Sequence, residues 1–437
     1  MSIKERTEKK LLWRVAVVIF LLYFLFSVDR GNIGFAGLQM TKALGLSAEI
    51  FGIGSALFTL GYLLFQVPNA AWLRQLSAGR AFATIACAWG VVSTTTALVP
   101  DQFWFLVNRF LLGLSEAGFN AFVIYYINRM FPNRIRGFTV GLTLLAVPVS
   151  MIVASPLSGA LLNWQLGGLE GWQWLFVIEG APSVVVGLLC LRLIPDSPNQ
   201  MRFLSAEERA WLDGELGAST PAKDSSSVHS MGEILRDPLI WALGFILFTT
   251  IFAANVMLVW MPQMIRQMSG AGNVAVGMLN SIPWISLGIG CVVMSRASDK
   301  VSNRMTPLRP SLAVAAAGFI LAAALQDAHP VFGFLGLLVG AFGVGAAQSV
   351  FWALAMQLVR GPAAATAYAV ITVLGNGSGV FAHPLIGKLH DVTGSFAGVA
   401  WALGAFNVAA IAVGYFIARR TAANSGSADI VTTVARP

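Results

Sequence analysis

Long apolar runs separated by short polar segments dominate the chain. Each run is close to the ~20 residues that an α-helix needs to cross the hydrocarbon core of a bilayer. Six runs precede a long polar stretch and six follow it. They lie at about 12–35, 50–73, 81–99, 103–128, 138–162, 172–194, 239–265, 275–295, 309–325, 331–358, 364–388 and 396–418. The pattern predicts an all-α membrane protein with twelve transmembrane helices.

The polar stretch 195–238 divides these runs into two equal sets, which indicates a duplicated architecture. Its first part opens with Ser205 and, three residues later, Glu208, the capping-box spacing that starts a helix. The domain prediction is an N-terminal six-helix bundle over 1–194, a cytoplasmic linker with a short amphipathic helix over 195–238, a pseudo-symmetric C-terminal bundle over 239–418, and a disordered cytoplasmic tail over 419–437.

Composition agrees with a membrane protein. Hydrophobic residues make up 57% of the chain and charged residues 11%, whereas soluble domains carry about 25% charged residues. The net charge of +8 could indicate nucleic-acid binding. However, no basic run interleaved with aromatic residues lies outside the apolar runs, so no nucleic-acid partner is expected. Cys87, Cys190 and Cys291 lie in apolar runs without metal-ligand spacing, and no metal or other cofactor is expected.

The distribution of Lys and Arg predicts the orientation, because cytoplasmic segments carry the excess of basic residues. With the N-terminus inside, 23 of the 28 Lys and Arg residues are cytoplasmic, and Lys42, Arg266 and Lys388 are external. Both termini are therefore predicted to be cytoplasmic. The first ten residues lack a signal-peptide cleavage site. Short outer loops favour a multi-pass protein of the bacterial inner membrane.

Five ionisable side chains lie well inside the predicted helices, all in the first half. They are Asp29 and Arg30 in the first run, Arg109 and Glu116 in the fourth, and Glu179 in the sixth. A charge at the bilayer centre costs ~2.5–3.5 kcal/mol and usually faces a cavity or a partner. Arg109 and Glu116 are seven residues apart, so they share a helix face about 10 Å apart. Two arginines and two carboxyls suit an anion site with a coupled proton.

Other interpretations of these polar residues stay open. The charges of the first and fourth helices could instead form a structural network that holds the two helices together. Glu179 has no second charge on its own helix, which favours a structural role. His383, beside Pro384, could titrate or could be a packed, hydrogen-bonded residue. Asn376 lies among glycines, where an amide can contact a ligand.

Several motifs combine along the chain. They are Asp29-Arg30-x-Asn32, Arg109-x-x-x-Gly113 followed by Glu116-Ala-Gly-Phe119, Pro156-Leu-Ser-Gly159, the segment 171–180, and Pro195-Asp-Ser-Pro198. From Trp13 to Arg420 the chain resembles the major facilitator superfamily. Within it, the chain is most similar to the anion:cation symporter family, which includes tartrate, phthalate, hydroxyphenylacetate and sugar-acid permeases.

The resemblance implies a role for each matching residue. Asp29 and Glu116 match the carboxyls that take the proton, and Arg109, assisted by Arg30, matches the arginine that meets the substrate carboxylate. Further substrate-binding candidates are Tyr62, Ser349, Trp352, Asn376 and His383. The gating candidates are Asp299 and Arg74.

The chain departs from the family pattern at four places, one of which is His383, since family members commonly carry Gly before the proline that corresponds to Pro384. The loop after the second run keeps only Arg74, Gly79 and Arg80 of the usual Gly/Asp/Arg gating motif, whereas Ser298-Asp299-Lys300 matches its counterpart better. An apolar segment, 145–149, stands where sugar-acid members carry a Gln, which favours a substrate with fewer hydroxyl groups. Asn120 adds a polar side chain after Phe119.

The leading hypothesis is uptake of a small organic anion, such as a hydroxy-dicarboxylate or an aromatic carboxylate, by proton symport and alternating access. An anion exchanger or a Na⁺-coupled carrier of the same fold is the alternative. An intramembrane enzyme is disfavoured because the four His residues show no HExxH spacing and no nucleophile triad. The expected partners are the anion, protons and the lipid bilayer, and a monomer is the default for the family.

Overall fold

A computed structural model describes residues 2–218, 231–301, 303–359 and 364–433. Within this part of the chain, twelve helical spans are long and apolar enough to cross a membrane. The prediction of an all-α protein with twelve transmembrane helices is therefore confirmed.

The first span begins earlier than the apolar run at residue 12. Helix α1 covers Ile3–Leu11, a π-helical turn covers Leu12–Ala16, and α2 covers Val17–Ala43. The start is fixed by Ser2, whose hydroxyl accepts from the Glu5 amide while the Glu5 carboxylate accepts from the Ser2 amide. This capping box satisfies amides that otherwise lack partners at a helix start, so the polar N-terminal residues join the helix.

The remaining helices of the first half follow the predicted runs closely. Capping side chains start three of them: Ser47 accepts from the Ile50 amide, Asp101 accepts from the Trp104 amide, and Gln173 accepts from the Glu170 amide. The helices are α3 Ala48–Leu73, α4 Ala78–Thr95, α5 Gln102–Glu116, α6 Phe119–Met130, α7 Asn133–Leu161 and α8 Gly171–Leu193.

The fourth span is broken, where the sequence predicts one continuous helix over 103–128. Helix α5 ends at Glu116 and α6 starts at Phe119, because Gly118 has a φ of 91°. A Cβ at Gly118 would lie 2.8 Å from the backbone nitrogen of Ala70 on α3, so the close approach also requires glycine. One carbonyl near the end of α5, that of Leu114, accepts from the Asn69 amide group at 3.0 Å.

The linker contains helix α9, Ala206–Ala218. It starts with the predicted capping box, in which Ser205 and Glu208 exchange hydrogen bonds. Lys10 of α1 donates to both carboxylate oxygens of Glu208, at 2.9 and 2.7 Å, so the linker helix docks on the first helix. Residues 219–230, which include the serines of the predicted flexible segment, lie outside the described residues.

The second half contains eight helices within the described residues. They are α10 Met231–Arg236, α11 Pro238–Val259, α12 Met261–Ser269, α13 Asn273–Ser298, α14 Met305–Leu325, α15 Pro330–Leu358, α16 Ala364–Thr393 and α17 Ala397–Thr433.

Two features of the second half differ from the sequence prediction. The run 239–265 breaks at Trp260, because Pro262 lacks an amide hydrogen and fits only the first turn of a helix. The disordered tail over 419–437 stays a prediction, and the last helix extends to Thr433, beyond the end of the apolar run at 418. Its alanines are strong helix formers. Residues 434–437 lie outside the described part.

The chain forms two compact units. The first comprises Met1–Ser225 with the segments Leu258–Gln263 and Ala271–Ser281, and the second comprises the remainder. In the first unit, α4 packs on α8, α3 on α5, and α2 on both α7 and α8. In the second unit, α14 packs on α15 and α17. Short segments of α11 to α13 cluster with the first unit, and the predicted bundles 1–194 and 239–418 stay a prediction.

Candidate functional site

The first unit brings the predicted membrane charges of α2 and α5 together. Asp29 and Glu116 are fully buried and Arg109 is 2% exposed. The side chain of Arg30 is 23% exposed. The sequence predicted that these four residues share one site, and the structure places them in contact with one another or with common neighbours.

Glu116 forms an ion pair with Arg30 rather than with the arginine on its own helix. Nε of Arg30 donates to Oε2 of Glu116 at 2.7 Å. The Arg30 guanidinium also lies 4.2 Å from the ring centroid of Phe26 and 4.5 Å from that of Tyr62. Aromatic faces attract cations electrostatically, so Arg30 is held by one carboxylate and by aromatic rings.

Tyr62 belongs to the same cluster, as the family resemblance implies. It lies on α3 and is 6% exposed. Its hydroxyl accepts a hydrogen bond from the Asn120 amide group at 3.1 Å. Asn120 follows the break between α5 and α6, so the polar residue that departs from the family pattern supports the aromatic ring beside Arg30.

Asp29 has a different environment from Glu116. Its Oδ1 accepts from the hydroxyl of Ser93 on α4 and from the side-chain amide of Asn32 at 3.0 Å. Its Oδ2 has no hydrogen-bond partner among the described residues. Arg109 and Glu116 both interact with Asp29 electrostatically. Two neutral donors, one nearby cation and a second carboxyl therefore surround the buried Asp29 carboxyl.

Arg109 carries unused hydrogen-bond donors. Its guanidinium lies 4.9 Å from the ring centroid of Phe58 and interacts electrostatically with Glu116 and Asp29. Its Nε and Nη1 are buried, with no hydrogen-bond partner in the described part of the chain. Buried polar groups are normally satisfied. These donors are therefore available to a bound anion, which a guanidinium can hold through two parallel hydrogen bonds.

Small residues let α5 approach α3 closely at this site. A Cβ at Gly113 would lie 1.9 Å from the carbonyl oxygen of Phe58, and one at Gly61 would lie 2.6 Å from that of Phe110. The close crossing places Phe58 against Arg109. The glycine of the Arg109-x-x-x-Gly113 motif is therefore required by packing.

The other predicted substrate residues lie in the second unit. Ser349 and Trp352 are on α15, where the Ser349 hydroxyl donates to the carbonyl of Ala346 and Trp352 is 38% exposed. Asn376 and His383 are on α16, the first half-buried and the second buried. Their substrate-binding roles stay predictions.

The gating candidates also stay predictions. The Asp299 side chain is 71% exposed and accepts from Nη1 of Arg304 at 3.1 Å. The Arg74 guanidinium lies 4.9 Å from the ring centroid of Tyr125 on α6.

Sequence analysis missed Ser93 and Phe58. Ser93 lies in Ser93-Thr-Thr-Thr96 near the end of an otherwise apolar helix, which is a polar signal, but three neighbouring hydroxyls are equivalent candidates. Phe58 is one of 29 phenylalanines, and nothing local distinguishes it. In the residues that the structure describes, no group of three or more His, Cys, Asp or Glu could hold a metal ion.

Comparison with known proteins identifies the family of this chain. The family model "Major Facilitator Superfamily" matches residues 19–384. A curated relative from Agrobacterium vitis, named "Putative tartrate transporter", is 36% identical, over 91% of this chain and 88% of its own length. A "Quinolone resistance transporter" from Acinetobacter baumannii is 33% identical, over 91% of each chain.

Solved structures share the fold. The crystal structure of a D-xylose-proton symporter aligns with a TM-score of 0.73 at 16% identity, covering 92% of this chain and 97% of that one. The family model covers most of the chain and the relatives span nearly its full length. The chain therefore belongs to the Major Facilitator Superfamily, and it is a multi-pass membrane transporter rather than an enzyme.

Proposed function

We propose that the protein takes up a small organic anion together with protons by alternating access. The observation that supports this most directly is the buried guanidinium of Arg109, whose Nε and Nη1 lack hydrogen-bond partners within the described residues. A buried cation with free donors matches a carboxylate ligand. The second arginine of the cluster, Arg30, also has a buried Nη2 without such a partner.

Proton coupling follows from the ion pair between Arg30 and Glu116. A proton on Glu116 neutralises the carboxylate that holds Arg30, so the guanidinium becomes available to the substrate. Anion binding and proton binding then favour each other, because each stabilises the state that accepts the other. Asp29 provides a second carboxyl within electrostatic reach of Arg109. We assign the proton to Asp29 and Glu116, and the anion to Arg30, Arg109 and Tyr62.

Independent observations support the proposed substrate class and the proposed membrane. The name of the Agrobacterium relative makes tartrate a suitable first probe, and a hydroxy-dicarboxylate would present one carboxylate to each arginine. The excess of Lys and Arg on one side of the spans supports cytoplasmic termini. The bacterial relatives support the inner membrane.

Uptake of radiolabelled L-tartrate by proteoliposomes tests the anion site. An acidic exterior should accelerate uptake by the wild-type protein. Arg109→Ala should lower uptake by about 10- to 100-fold, because hydrogen bonds to a charged group contribute ~1.5–3 kcal/mol. Arg202→Ala, at an exposed arginine of the linker, is the matched control and should retain uptake. Full uptake by Arg109→Ala would remove Arg109 from the site.

A second variant tests the coupling. The amide side chain of the Glu116→Gln variant cannot bind or release a proton. Concentrative uptake driven by a pH gradient should therefore be lost, while tartrate counterflow persists. Concentrative uptake by Glu116→Gln would contradict the assignment. Uptake that needs external Na⁺ and ignores the pH gradient would instead support a Na⁺-coupled carrier, and counterflow without any net uptake would support an exchanger.

A further inference from the structure

Glu179 is a buried carboxyl that the proposed transport cycle does not use. It lies on α8 and is 3% exposed. Its Oε1 is 2.5 Å from the hydroxyl oxygen of Ser158 on α7. The adjacent residue, Gly180, packs so closely on α4 that a Cβ there would lie 3.1 Å from the Ser93 hydroxyl oxygen. Ser93 in turn donates to Asp29, so Glu179 lies beside the helix that carries the donor to Asp29.

The single hydrogen of the Ser158 hydroxyl bears on whether the Glu179 carboxyl carries a proton. The Ser158 hydroxyl oxygen is also 2.9 Å from the carbonyl oxygen of Ala154. A hydroxyl has a single hydrogen, so it donates to only one of these two acceptors. When Ser158 donates to Ala154, its contact with Glu179 becomes a hydrogen bond only if the carboxyl itself supplies the hydrogen.

The charges around Glu179 also favour a protonated Glu179 carboxyl. The buried Glu116 has Arg30 as its partner and the buried Glu208 has Lys10, whereas no described Lys or Arg forms an ion pair with Glu179. Its Oε2 has no hydrogen-bond partner in the described chain. A buried carboxylate with one donor and no cation is strongly disfavoured, and a neutral acid is not.

The groups that face Glu179 come from three helices. Helix α7 offers the Ser158 hydroxyl, which contacts Glu179 directly, and the hydroxyls of Ser93 and Thr94 on α4 lie against the adjacent residue, Gly180. Helix α2 offers Asp29, the charged group that interacts electrostatically with Glu179. The charged group that acts on Glu179 is thus another carboxyl, and two ionised carboxyls in one buried region repel each other.

We propose that Glu179 is a third proton-binding carboxyl of the first unit, which holds its proton while Asp29 is ionised. The proton forms the hydrogen bond from Glu179 to Ser158. Because the two carboxyls repel when both are charged, Asp29 and Glu179 together keep at least one proton. The significance of this pair for transport rests on the proposed function, whereas the protonation of Glu179 does not.

Infrared spectroscopy of the purified full-length protein measures the protonation directly, without a substrate. At neutral pH the wild type should show the carbonyl stretch of a protonated carboxyl that is absent from Glu179→Gln. The band should be retained in Glu207→Gln, which alters an exposed glutamate of the linker helix α9. Identical carboxylic-acid bands in the wild type and Glu179→Gln would show that Glu179 is ionised and would overturn the proposal.

A second variant keeps the test valid if Glu179→Gln does not fold. Ser158→Ala leaves the carboxyl in place and removes its hydrogen-bond partner, so the frequency of the same band should shift. An unshifted band in Ser158→Ala would overturn the assignment of the bond.

A third variant tests the coupling between the two carboxyls. Asp29→Asn removes the neighbouring negative charge, so the Glu179 band should disappear at a lower pH than in the wild type. An unchanged midpoint would overturn the coupling to Asp29. These spectra need no transport, so a failure of the tartrate experiments and a failure of this proposal are distinguishable.

Discussion

Asp29 and Glu116 are buried carboxyls whose immediate neighbours differ. Glu116 has an arginine within 2.7 Å, and Asp29 has a hydroxyl and an amide group as its donors. Protonation affects the two carboxyls differently. A proton on Glu116 removes the charge that attracts Arg30, whereas a proton on Asp29 removes no ion pair. The two carboxyls are therefore suited to different steps of the proposed proton-coupled cycle.

The hydrogen bond from Ser93 to Asp29 gives a prediction at the scale of single residues. Ser93→Ala should lower the thermal unfolding midpoint, because loss of a partner to a buried polar group costs about 1–3 kcal/mol. Thr95→Ala, at an exposed hydroxyl on the same helix, is the matched control. In an Asp29→Asn background the cost of Ser93→Ala should fall, as a double-mutant cycle would measure. Additive effects would show that the two side chains do not interact.

Individual residues of the site were predictable from sequence only in part. Charges in apolar runs identify Asp29, Arg30, Arg109 and Glu116, because a charge is costly at membrane depth. The sequence does not specify that Glu116 pairs with Arg30, since this depends on how α2 and α5 rotate against each other. Ser93 escaped detection for the same reason: its role depends on which hydroxyl of α4 faces α2.

At the scale of helices, glycines allow close helix crossings, and these crossings place the charged residues near one another. Helix α5 touches the backbone of α3 at Gly113, and α6 begins where Gly118 touches α3. Sequence analysis predicted where each membrane span lies, because the position and length of an apolar run give those of the span. It did not predict the breaks at Gly118 and Trp260, because the apolar pattern continues through both.

The crossing at Gly113 predicts a packing effect. Gly113→Ala should destabilise the protein by about 1–3 kcal/mol, because the added methyl group overlaps the Phe58 carbonyl and the backbone must shift. Gly141→Ala is the matched control, since a Cβ there meets no atom within 4 Å. Thermal unfolding midpoints of both variants in the same detergent measure the effect. Equal midpoints would contradict the close crossing.

At the scale of the whole chain, the linker helix α9 is tied to the first unit. The Lys10 ammonium donates to both oxygens of Glu208 and holds the pKa of that carboxyl below its usual value. Glu208 therefore stays ionised at neutral pH. The sequence predicted α9 from its capping box, which is a local signal, but not its partner Lys10, which lies 198 residues away.

The docking of α9 has a predictable pH dependence. Because folding lowers the pKa of Glu208, the ion pair stabilises the docked state above the ordinary pKa of a glutamate, and this contribution disappears as the pH falls through the lowered value. The protection factors of the α9 amides, which compare their hydrogen exchange with that of unstructured amides at the same pH, should therefore be high at neutral pH and lower in strong acid.

Glu208→Gln tests the same ion pair at neutral pH. It preserves the capping box, since Gln also serves at that position, but removes the charge, so exchange in α9 should be faster at pH 7. Glu207→Gln is the neighbouring control. Equal exchange rates in the two variants would show that Lys10 does not hold the linker helix.

The break between α5 and α6 divides one membrane crossing into two separately supported pieces. The first carries Arg109 and Glu116 and packs on α3, whereas the second anchors Phe119 and Phe122 among the rings of Phe26, Phe82 and Trp89. No helical backbone hydrogen bonds run continuously through the break. The backbone hydrogen bonds of one piece therefore do not depend on those of the other, which gives this crossing a modularity that an unbroken helix lacks.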